Sequence, residues 1–192
     1  MNIILVAATK QEIDTQLFKN HTILITGIGI ANSCIKLTKT ILKNNFDLVI
    51  NMGISGSFNE NIKIGDVVEV IEDNFSEIGF ETNEDFQMFS QDDIKTSYSN
   101  NQKTKLKKVK SITVNTVHGN TNSIKKIIER LNPDIENMEG AAIFKVCQEF
   151  NIPCLQIRSI SNKVEKRNKK NWNIPLAINN LNQTVSEIIA SL

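Results

Sequence analysis

Three polar side chains follow predicted buried strands, and their types could hold a sugar and a nitrogen heterocycle. Glu139 begins a predicted helix, where a carboxylate can bind the vicinal hydroxyls of a sugar or only stabilise the helix dipole. Asn162 ends the most apolar strand, and an amide that donates and accepts at once suits a ring with a carbonyl beside a nitrogen. A strand end or helix cap is the alternative for Asn162. Glu12 follows the first strand and could reach the same sheet edge, or lie on the surface.

Two glycine-rich segments follow strands. The turn at Gly27 and Gly29 begins like a dinucleotide-binding motif, but Asn32 replaces the third glycine and no acidic residue ends the next strand. These glycines permit a small anion or a sugar near a helix N-terminus, or only a tight turn. The segment NMGISGS at 51–57 predicts a concave row of backbone N–H donors, with Ser55 and Gly56 as candidate substrate contacts for a ribose or phosphate.

Other kinds of site lack support in the sequence. His21 and His118 are far apart and have no metal-binding motif around them, so we expect no metal and no cofactor. No GxSxG motif indicates an acyl-transfer serine. The basic run at 163–170, next to Trp172, is interpreted as a solvated loop rather than a contact with nucleic acid.

The composition is that of a soluble globular protein. The chain has 192 residues, a net charge of +1, 40% hydrophobic and 22% charged residues. These values predict one domain over residues 1–192 and exclude disorder or a general affinity for nucleic acid. We expect no membrane span and no signal peptide. Three widely spaced cysteines are interpreted as reduced core thiols of a cytoplasmic protein.

Hydrophobic periodicity predicts alternating strands and helices. The predicted strands cover residues 3–8, 21–26, 46–52, 65–71, 111–117, 134–138 and 152–161. The predicted helices cover residues 9–18, 30–43, 122–131, 139–150 and 175–191. The polar stretch 72–110 is interpreted as an excursion of loops and short strands at the edge of the domain. The order predicts an α/β fold: a single-domain, mixed, mostly parallel β-sheet flanked by helices, with a ligand beyond the carboxyl ends of the strands.

The order of the motifs resembles the nucleoside phosphorylase/nucleosidase superfamily over nearly the whole chain. The resemblance is carried by Glu12, the Gly27–Gly29 turn, NMGISGS at 51–57, GDVV at 65–68, NMEGAA at 137–142 and IRSISN at 157–162. Within the superfamily, the chain is most similar to the futalosine hydrolase family, through VNTVHG at 114–119, EIGFETNEDF, and the segment from Ser161 to Asn182.

This resemblance implies a nucleoside phosphorylase-like fold and hydrolysis of the N-glycosidic bond of futalosine, with release of hypoxanthine in menaquinone biosynthesis. It also implies a homo-oligomer, a dimer or larger, in which the excursion at 72–110 meets a neighbour. By similarity, Glu139 would hold the ribose hydroxyls and Met138 would pack beside the sugar. Glu12 would orient or deprotonate the attacking water, assisted by Arg158.

For the base, the resemblance implies that Asn162 binds the purine at N7 with support from Ser161, and that Val117 and His118 stack near it. Relatives that cleave adenine nucleosides carry an aspartate where this chain has Asn162. An asparagine cannot protonate N7, so this residue favours a 6-oxopurine, which is the better leaving group. Three alternatives stay open: a methylthioadenosine/S-adenosylhomocysteine nucleosidase, a purine nucleoside phosphorylase, and a binding protein without activity.

Overall fold

A computed structural model describes residues 1–90, 92, 94–100 and 104–192. The strands are β1 (Ile3–Ala7), β2 (Thr22–Ile25), β3 (Leu48–Ser57), β4 (Val67–Phe75), β5 (Gly79–Glu81), β6 (Phe86–Met88), β7 (Ser97–Ser99), β8 (Lys107–Thr113), β9 (Ile135–Asn137) and β10 (Cys154–Lys163). The α-helices are α1 (Ile30–Ile41), α2 (Thr121–Leu131), α3 (Gly140–Glu149) and α4 (Ile174–Ala190). A short 3-10 helix covers Lys169–Asn171.

Strand β3 is the hub of the sheet because it pairs along both of its edges. One edge pairs with β10 in parallel from Val49 to Ser57. The other edge pairs with β1 only as far as Asn51, and with β9 from Gly56 onwards. Between these two partners, residues 52–55 have no strand neighbour on that edge within the described chain. This gap opens a cleft beside β3.

The remaining pairings close part of the sheet into a ring. Going round it, β10 pairs with β4, β4 with β8, β8 with β9, and β9 with β3, which pairs again with β10. Strands β1 and β2 extend from β3, and β7 pairs with β4. Parallel pairings outnumber antiparallel ones among the described strands, so the prediction of a mixed, mostly parallel sheet in an α/β fold is confirmed.

Helices cover both faces of this sheet. Helices α1 and α3 pack together on one face, where Leu37 and Ile143 join the larger buried cluster. Helix α4 lies on the other face and contributes Leu181 and Val185 to a second cluster with β1, β3 and β10. Each helix therefore buries an apolar stripe against strands that are apolar on both faces. Within the described residues, no helix is both long enough and apolar enough to span a bilayer.

The prediction of a helix at 9–18 is wrong, because two carboxylates fold the segment into short turns. Thr9 donates its N–H and its hydroxyl to the Glu12 side chain, at 2.9 and 3.0 Å. The Asp14 carboxylate accepts from the N–H groups of Gln16 and Leu17. Side chains that bind nearby backbone N–H groups compete with the helical hydrogen-bond pattern.

The prediction of an N–H nest at 51–57 is also wrong. The segment continues β3, because β10 pairs with it along its whole length and consumes the backbone groups on that side. Strand β8 begins earlier than the predicted 111–117, since only one face of its lysine-rich first half is buried. The excursion at 72–110 holds the short strands β5, β6 and β7, as expected. Residues 91, 93 and 101–103 of this excursion lie outside the described part of the chain.

Candidate active site

A cavity of about 420 Å³ lies where β3 changes partner from β1 to β9. It brings together nine of the residues singled out from the sequence: Glu12, Ser55, Gly56, Val117, His118, Met138, Glu139, Ser161 and Asn162. The sequence analysis did not single out Ile28, Glu136, Arg167, Trp172, Ile174 and Ile178 as site residues, and they also line the cavity. Convergent polar groups in one concave site are typical of a small-molecule binding site.

The Glu12 carboxylate points into the gap in β3. Its Oε1 accepts the N–H of Ile54 at 3.2 Å, one of the β3 groups that no strand pairs. Its Oε2 is held by Thr9. The backbone carbonyl of Glu12 accepts from Asn182 of α4 at 3.0 Å, so the turn is anchored at both ends. Hydrogen bonds therefore fix the carboxylate in place, and no cation of the described residues binds it directly.

Glu139 is the N-cap residue of α3, and its side chain reaches the turn before α1. Its Oε1 accepts the N–H of Gly29 at 2.9 Å. Gly29 has φ of 97°, a conformation that favours glycine. The N-terminus of α1, which the sequence offered as a site for a small anion, thus binds this carboxylate. Burial raises the pKa of Glu139, the charge of Arg158 lowers it, and the nearby charge of Glu12 raises it.

A buried network fixes the start of α3. Asn137 accepts the N–H groups of Glu139 and Gly140 on its Oδ1, at 2.9 and 2.6 Å. Its Nδ2 donates to the fully buried carboxylate of Asp73 at 2.8 Å. Asp73 also accepts from Thr113 and Gln156. Burial raises the pKa of Asp73, and the hydrogen bonds from Gln156, Asn137 and Thr113 oppose this shift.

Arg158 lies behind the cavity wall and does not line it. The guanidinium is buried, and its Nη2 donates to the Oδ1 of Asn137 at 3.3 Å. It lies over Gly53, its partner on β3, at a place where a Cβ would collide with it and lie 2.9 Å from the Glu12 carboxylate. This position lets the charge of Arg158 act on Glu139 from behind the cavity wall.

Asn162 faces the cavity because of an irregularity in β10. The pairing register with β3 shifts between Ile160 and Asn162, which places Asn162 opposite Gly56. Side chains alternate between the faces of a strand, so this one-residue shift determines which face Asn162 occupies. The Ser161 hydroxyl donates to Oδ1 of Asn162 at 2.8 Å, and Nδ2 donates to the carbonyl of Lys163. One N–H of Nδ2 therefore stays available to a ligand.

Beyond Asn162, the cavity is bounded by His118 and Glu136. The Glu136 carboxylate accepts the backbone N–H of His118 at 3.0 Å and lies 2.6 Å from its Nδ1. The imidazole packs edge-on against Phe58, with ring centroids 6.0 Å apart. Both side chains are largely buried. Sequence reasoning missed Glu136, although an acidic residue inside a short apolar strand is a usable signal.

Arg167 and Trp172 come from the segment that the sequence predicted to be a solvated loop. The Arg167 guanidinium stacks over the indole of Trp172, 5.2 Å from its centroid. Its backbone N–H donates to the carbonyl of Gly119, which holds the segment against the His118 side of the cavity. The same segment is tied down by Lys163, whose Nζ donates to the carbonyls of Asn59 and Ile62. Part of the basic run is therefore structural and forms a cavity wall.

The Ser55 hydroxyl is buried at the cavity wall without a hydrogen-bond partner in the described part of the chain. A buried polar atom without a partner carries a free-energy penalty of about 1–3 kcal/mol. A ligand with a hydroxyl or a carbonyl at this point would remove the penalty. Ser55 thus presents a hydroxyl without a partner at the cavity wall, and its contact with substrate stays a prediction.

Comparison with known proteins gives one family. The model of the phosphorylase superfamily matches residues 9–190. A curated 5′-methylthioadenosine/S-adenosylhomocysteine nucleosidase from Buchnera aphidicola subsp. Schizaphis graminum is 29% identical over 184 residues, which cover 86% of this chain and 78% of that protein.

Two solved structures share the fold. The structure of a futalosine hydrolase mutant of Helicobacter pylori has a TM-score of 0.86 at 17% identity and covers 99% of both chains. A 5′-methylthioadenosine/S-adenosylhomocysteine nucleosidase from Helicobacter pylori, with butyl-thio-DADMe-Immucillin-A, has a TM-score of 0.85 at 18% identity, over 99% of this chain and 98% of that one.

The buried Asp73 carboxylate predicts a pH dependence of stability. Its pKa is raised above the ordinary 3.8, so the folded state holds a proton that the unfolded state has lost. Stability therefore falls as the pH rises from 3.8 through the folded-state pKa. Relative to Asp73→Asn, the wild-type free energy of unfolding should decrease by at most about 1.4 kcal/mol per pH unit in this window.

The measurement is urea unfolding of both proteins between about pH 4 and pH 7. Asp85→Asn is the matched control, because the hydrogen bond from Lys126 lowers the pKa of this exposed carboxylate. The difference in free energy of unfolding between Asp85→Asn and the wild type should stay constant over the same pH range. The stabilisation by Asp85 is lost only as the pH falls below 3.8, the ordinary pKa of an aspartate. The prediction would be contradicted if the free energies of unfolding of Asp73→Asn and the wild type changed with pH in the same way.

Proposed function

The chain belongs to the phosphorylase superfamily and is a nucleosidase that hydrolyses N-glycosidic bonds, and we propose that its substrate is the 6-oxopurine nucleoside futalosine. The observation that carries the choice of base is Asn162, which offers the cavity an N–H that it cannot transfer. Hypoxanthine would be the base released. This assignment rests on residue chemistry together with the resemblance of the sequence to futalosine hydrolases.

The proposed reaction uses the two carboxylates at the sugar. Cleavage of an N-glycosidic bond develops positive charge on the ribose, and an enzyme accelerates it by stabilising that charge more in the transition state than in the ground state. Glu139, held by Gly29, binds the ribose hydroxyls, and Met138 packs beside the sugar. Glu12, fixed at the gap in β3, orients and deprotonates the attacking water. Ser55 supplies a further hydrogen bond.

The proposed departure of the base uses Asn162. The leaving purine gains negative charge as the bond breaks, and an N–H directed at N7 or O6 stabilises it without proton transfer. This is sufficient for hypoxanthine, whose 6-oxo group takes up the charge. Adenine is a poorer leaving group and benefits from a proton at N7, which an aspartate at this position can deliver and Asn162 cannot.

A methylthioadenosine/S-adenosylhomocysteine nucleosidase is the second candidate, because the curated relatives carry that name. Apolar residues at one part of the cavity wall suit an alkylthio group: Ile28, Ile174 and Ile178. This candidate predicts release of adenine from methylthioadenosine, a result that the first candidate excludes as the main activity.

The test is a comparison of four nucleosides with the purified protein: futalosine, aminofutalosine, methylthioadenosine and inosine, each with and without phosphate. We expect hypoxanthine from futalosine in the absence of phosphate, identified by chromatography. Glu139→Gln should reduce turnover by roughly 100-fold or more, since it removes charge stabilisation in the transition state. Adenine as the main product would overturn the proposal, and a requirement for phosphate would indicate a phosphorylase.

Asn162→Asp should change the preference between bases. The aspartate can carry a proton to N7, so the ratio of kcat/KM for methylthioadenosine to that for futalosine should rise by about 10-fold or more. Ser161→Ala is the matched control, because it removes the hydroxyl that orients Asn162 without adding a proton donor. If the ratio of the two kcat/KM values were the same in Asn162→Asp as in the wild type, Asn162 would not select the base.

The fall of activity on the acidic side of the pH–rate profile should reflect protonation of the Glu139 carboxylate. The ionised carboxylate is the active form, and its raised pKa places the fall of kcat/KM at a pH above the ordinary 4.5. The charge of Arg158 lowers that pKa, so Arg158→Gln should move the fall to higher pH. Arg158→Lys keeps the charge and should leave the midpoint near that of the wild type. An identical midpoint in Arg158→Gln would contradict this assignment.

A further inference from the structure

Among the described residues, Arg167 is the one lysine or arginine that lines the cavity. The three carboxylates of the lining, Glu12, Glu136 and Glu139, each accept hydrogen bonds from other groups. No ion pair between described residues involves Arg167. A guanidinium that faces a binding cavity without an anionic partner can bind an anionic group of the ligand, and its forked donors match a carboxylate.

The aliphatic part of Arg167 is held in place by Gly119. The backbone N–H of Arg167 donates to the carbonyl of Gly119 at 3.1 Å. A Cβ on Gly119 would lie 3.2 Å from Cβ of Arg167 and 3.8 Å from its Cγ and Cδ. Because Gly119 has no side chain, the stem of Arg167 passes directly over the backbone on its way to the cavity. The charged group is therefore less free to move than an ordinary surface arginine.

The indole of Trp172 holds the guanidinium itself, which lies 5.2 Å from the ring centroid. Trp172 also lines the cavity, and the chain on either side of it is anchored. Its own N–H donates to the carbonyl of Lys169 at 3.2 Å, and the N–H of Asn173 donates to the carbonyl of Ser161 at 2.8 Å. Stacking on an aromatic ring uses the face of a guanidinium, whereas its N–H groups lie in its plane. These donors therefore stay available for a ligand.

The place of Arg167 in the cavity indicates which part of a nucleoside it meets. Arg167 is exposed and so lies at the cavity mouth, whereas Glu139 is buried and Asn162 is half-buried. The proposed function gives the ribose hydroxyls to Glu139 and the base to Asn162. An anionic group that reaches Arg167 then belongs to the remaining part of the nucleoside, the substituent on the ribose.

The candidate substrates differ in the charge of this substituent. Futalosine carries a carboxylic acid there, which is ionised at neutral pH, whereas methylthioadenosine has an uncharged methylthio group. S-adenosylhomocysteine also carries a carboxylate, so the base distinguishes it from futalosine. An unpaired guanidinium at the cavity mouth favours the nucleosides with an acidic substituent.

We propose that Arg167 binds a carboxylate on the ribose substituent of the substrate, with Trp172 as its positioning residue. This inference rests on the proposed function, because it describes the substrate of the same site further. Arg167 selects the charge of the substituent and Asn162 selects the base, so the two ends of the substrate are recognised by separate residues.

The test compares futalosine with its primary amide, in which an uncharged group of nearly the same shape replaces the carboxylate. The ratio of kcat/KM for the acid to that for the amide is measured from the release of hypoxanthine. This ratio should be about 5 to 30 in the wild type and within about 2-fold of one in Arg167→Gln. The change should appear mainly in KM, because the carboxylate is bound equally in the ground state and in the transition state.

Lys166→Gln is the matched control, because it removes the same charge from the preceding residue, which is exposed and does not line the cavity. It should keep the wild-type ratio. Arg167→Lys retains the charge but loses the planar fork and should give an intermediate ratio. Trp172→Leu removes the ring under the guanidinium and should also lower the ratio. The ratio within each protein cancels a general loss of activity, so a partly destabilised variant still gives a result.

The salt dependence gives a second measurement on the wild type. Dissolved ions screen an exposed ion pair, so the acid-to-amide ratio should fall towards one as the salt concentration rises from about 0.01 M to about 1 M. A ratio that stays constant over this range would contradict an ion pair at the cavity mouth.

The failure of this inference and that of the proposed function are distinguishable. An acid-to-amide ratio near one in the wild type, or an equal loss in Lys166→Gln and Arg167→Gln, overturns the role of Arg167 and leaves the proposed function intact. A wild-type ratio in Trp172→Leu overturns the positioning role of Trp172. If the wild type releases hypoxanthine from neither compound, the proposed function is overturned and the carboxylate site with it.

Discussion

The cavity wall beside Glu139 depends on a buried carboxylate to which no cation of the described residues binds directly. Asp73 of β4 is held by hydrogen bonds from Thr113, Asn137 and Gln156, which belong to β8, β9 and β10. Burial of a charge is unfavourable unless donors surround it, so these three strands are constrained to one arrangement. Asn137 transmits that constraint to the first N–H groups of α3, where Glu139 begins the helix.

Much of the fold was predictable because most of its elements bury continuous apolar runs. The sequence also predicted that Glu12, Glu139 and Asn162 lie at one edge of the sheet, since each follows a buried strand, and the three line one cavity. It did not predict the turns at 9–18, because hydrophobic periodicity does not reveal side chains that bind their own backbone. Glu136 escaped notice because its partner, His118, is near it only after β9 has paired with β8.

The glycine-rich run of β3 has a different purpose from the one its composition indicates. Gly53 provides the space in which Arg158 and the Glu12 carboxylate approach each other. At Gly56, a Cβ would lie 2.9 Å from the side chain of Val164 and 3.1 Å from the amide of Asn162. In both cases the residue matters for the side chain that it lacks, since larger residues would fill the positions that the site uses. Two glycines of one strand, three residues apart, therefore leave room for side chains at the cavity wall.

The closed ring of strands also determines when this protein can acquire its site during synthesis. Strand β10 lies between β3 and β4, which precede it by roughly 80 to 100 residues in the chain. Until it emerges from the ribosome, β3 and β4 each expose an unpaired apolar edge of the kind that promotes aggregation. The nascent chain must remain in that state while α2, β9 and α3 are made. Placing the closing strand near the end of the chain therefore leaves these two edges unpaired for most of the time that synthesis takes.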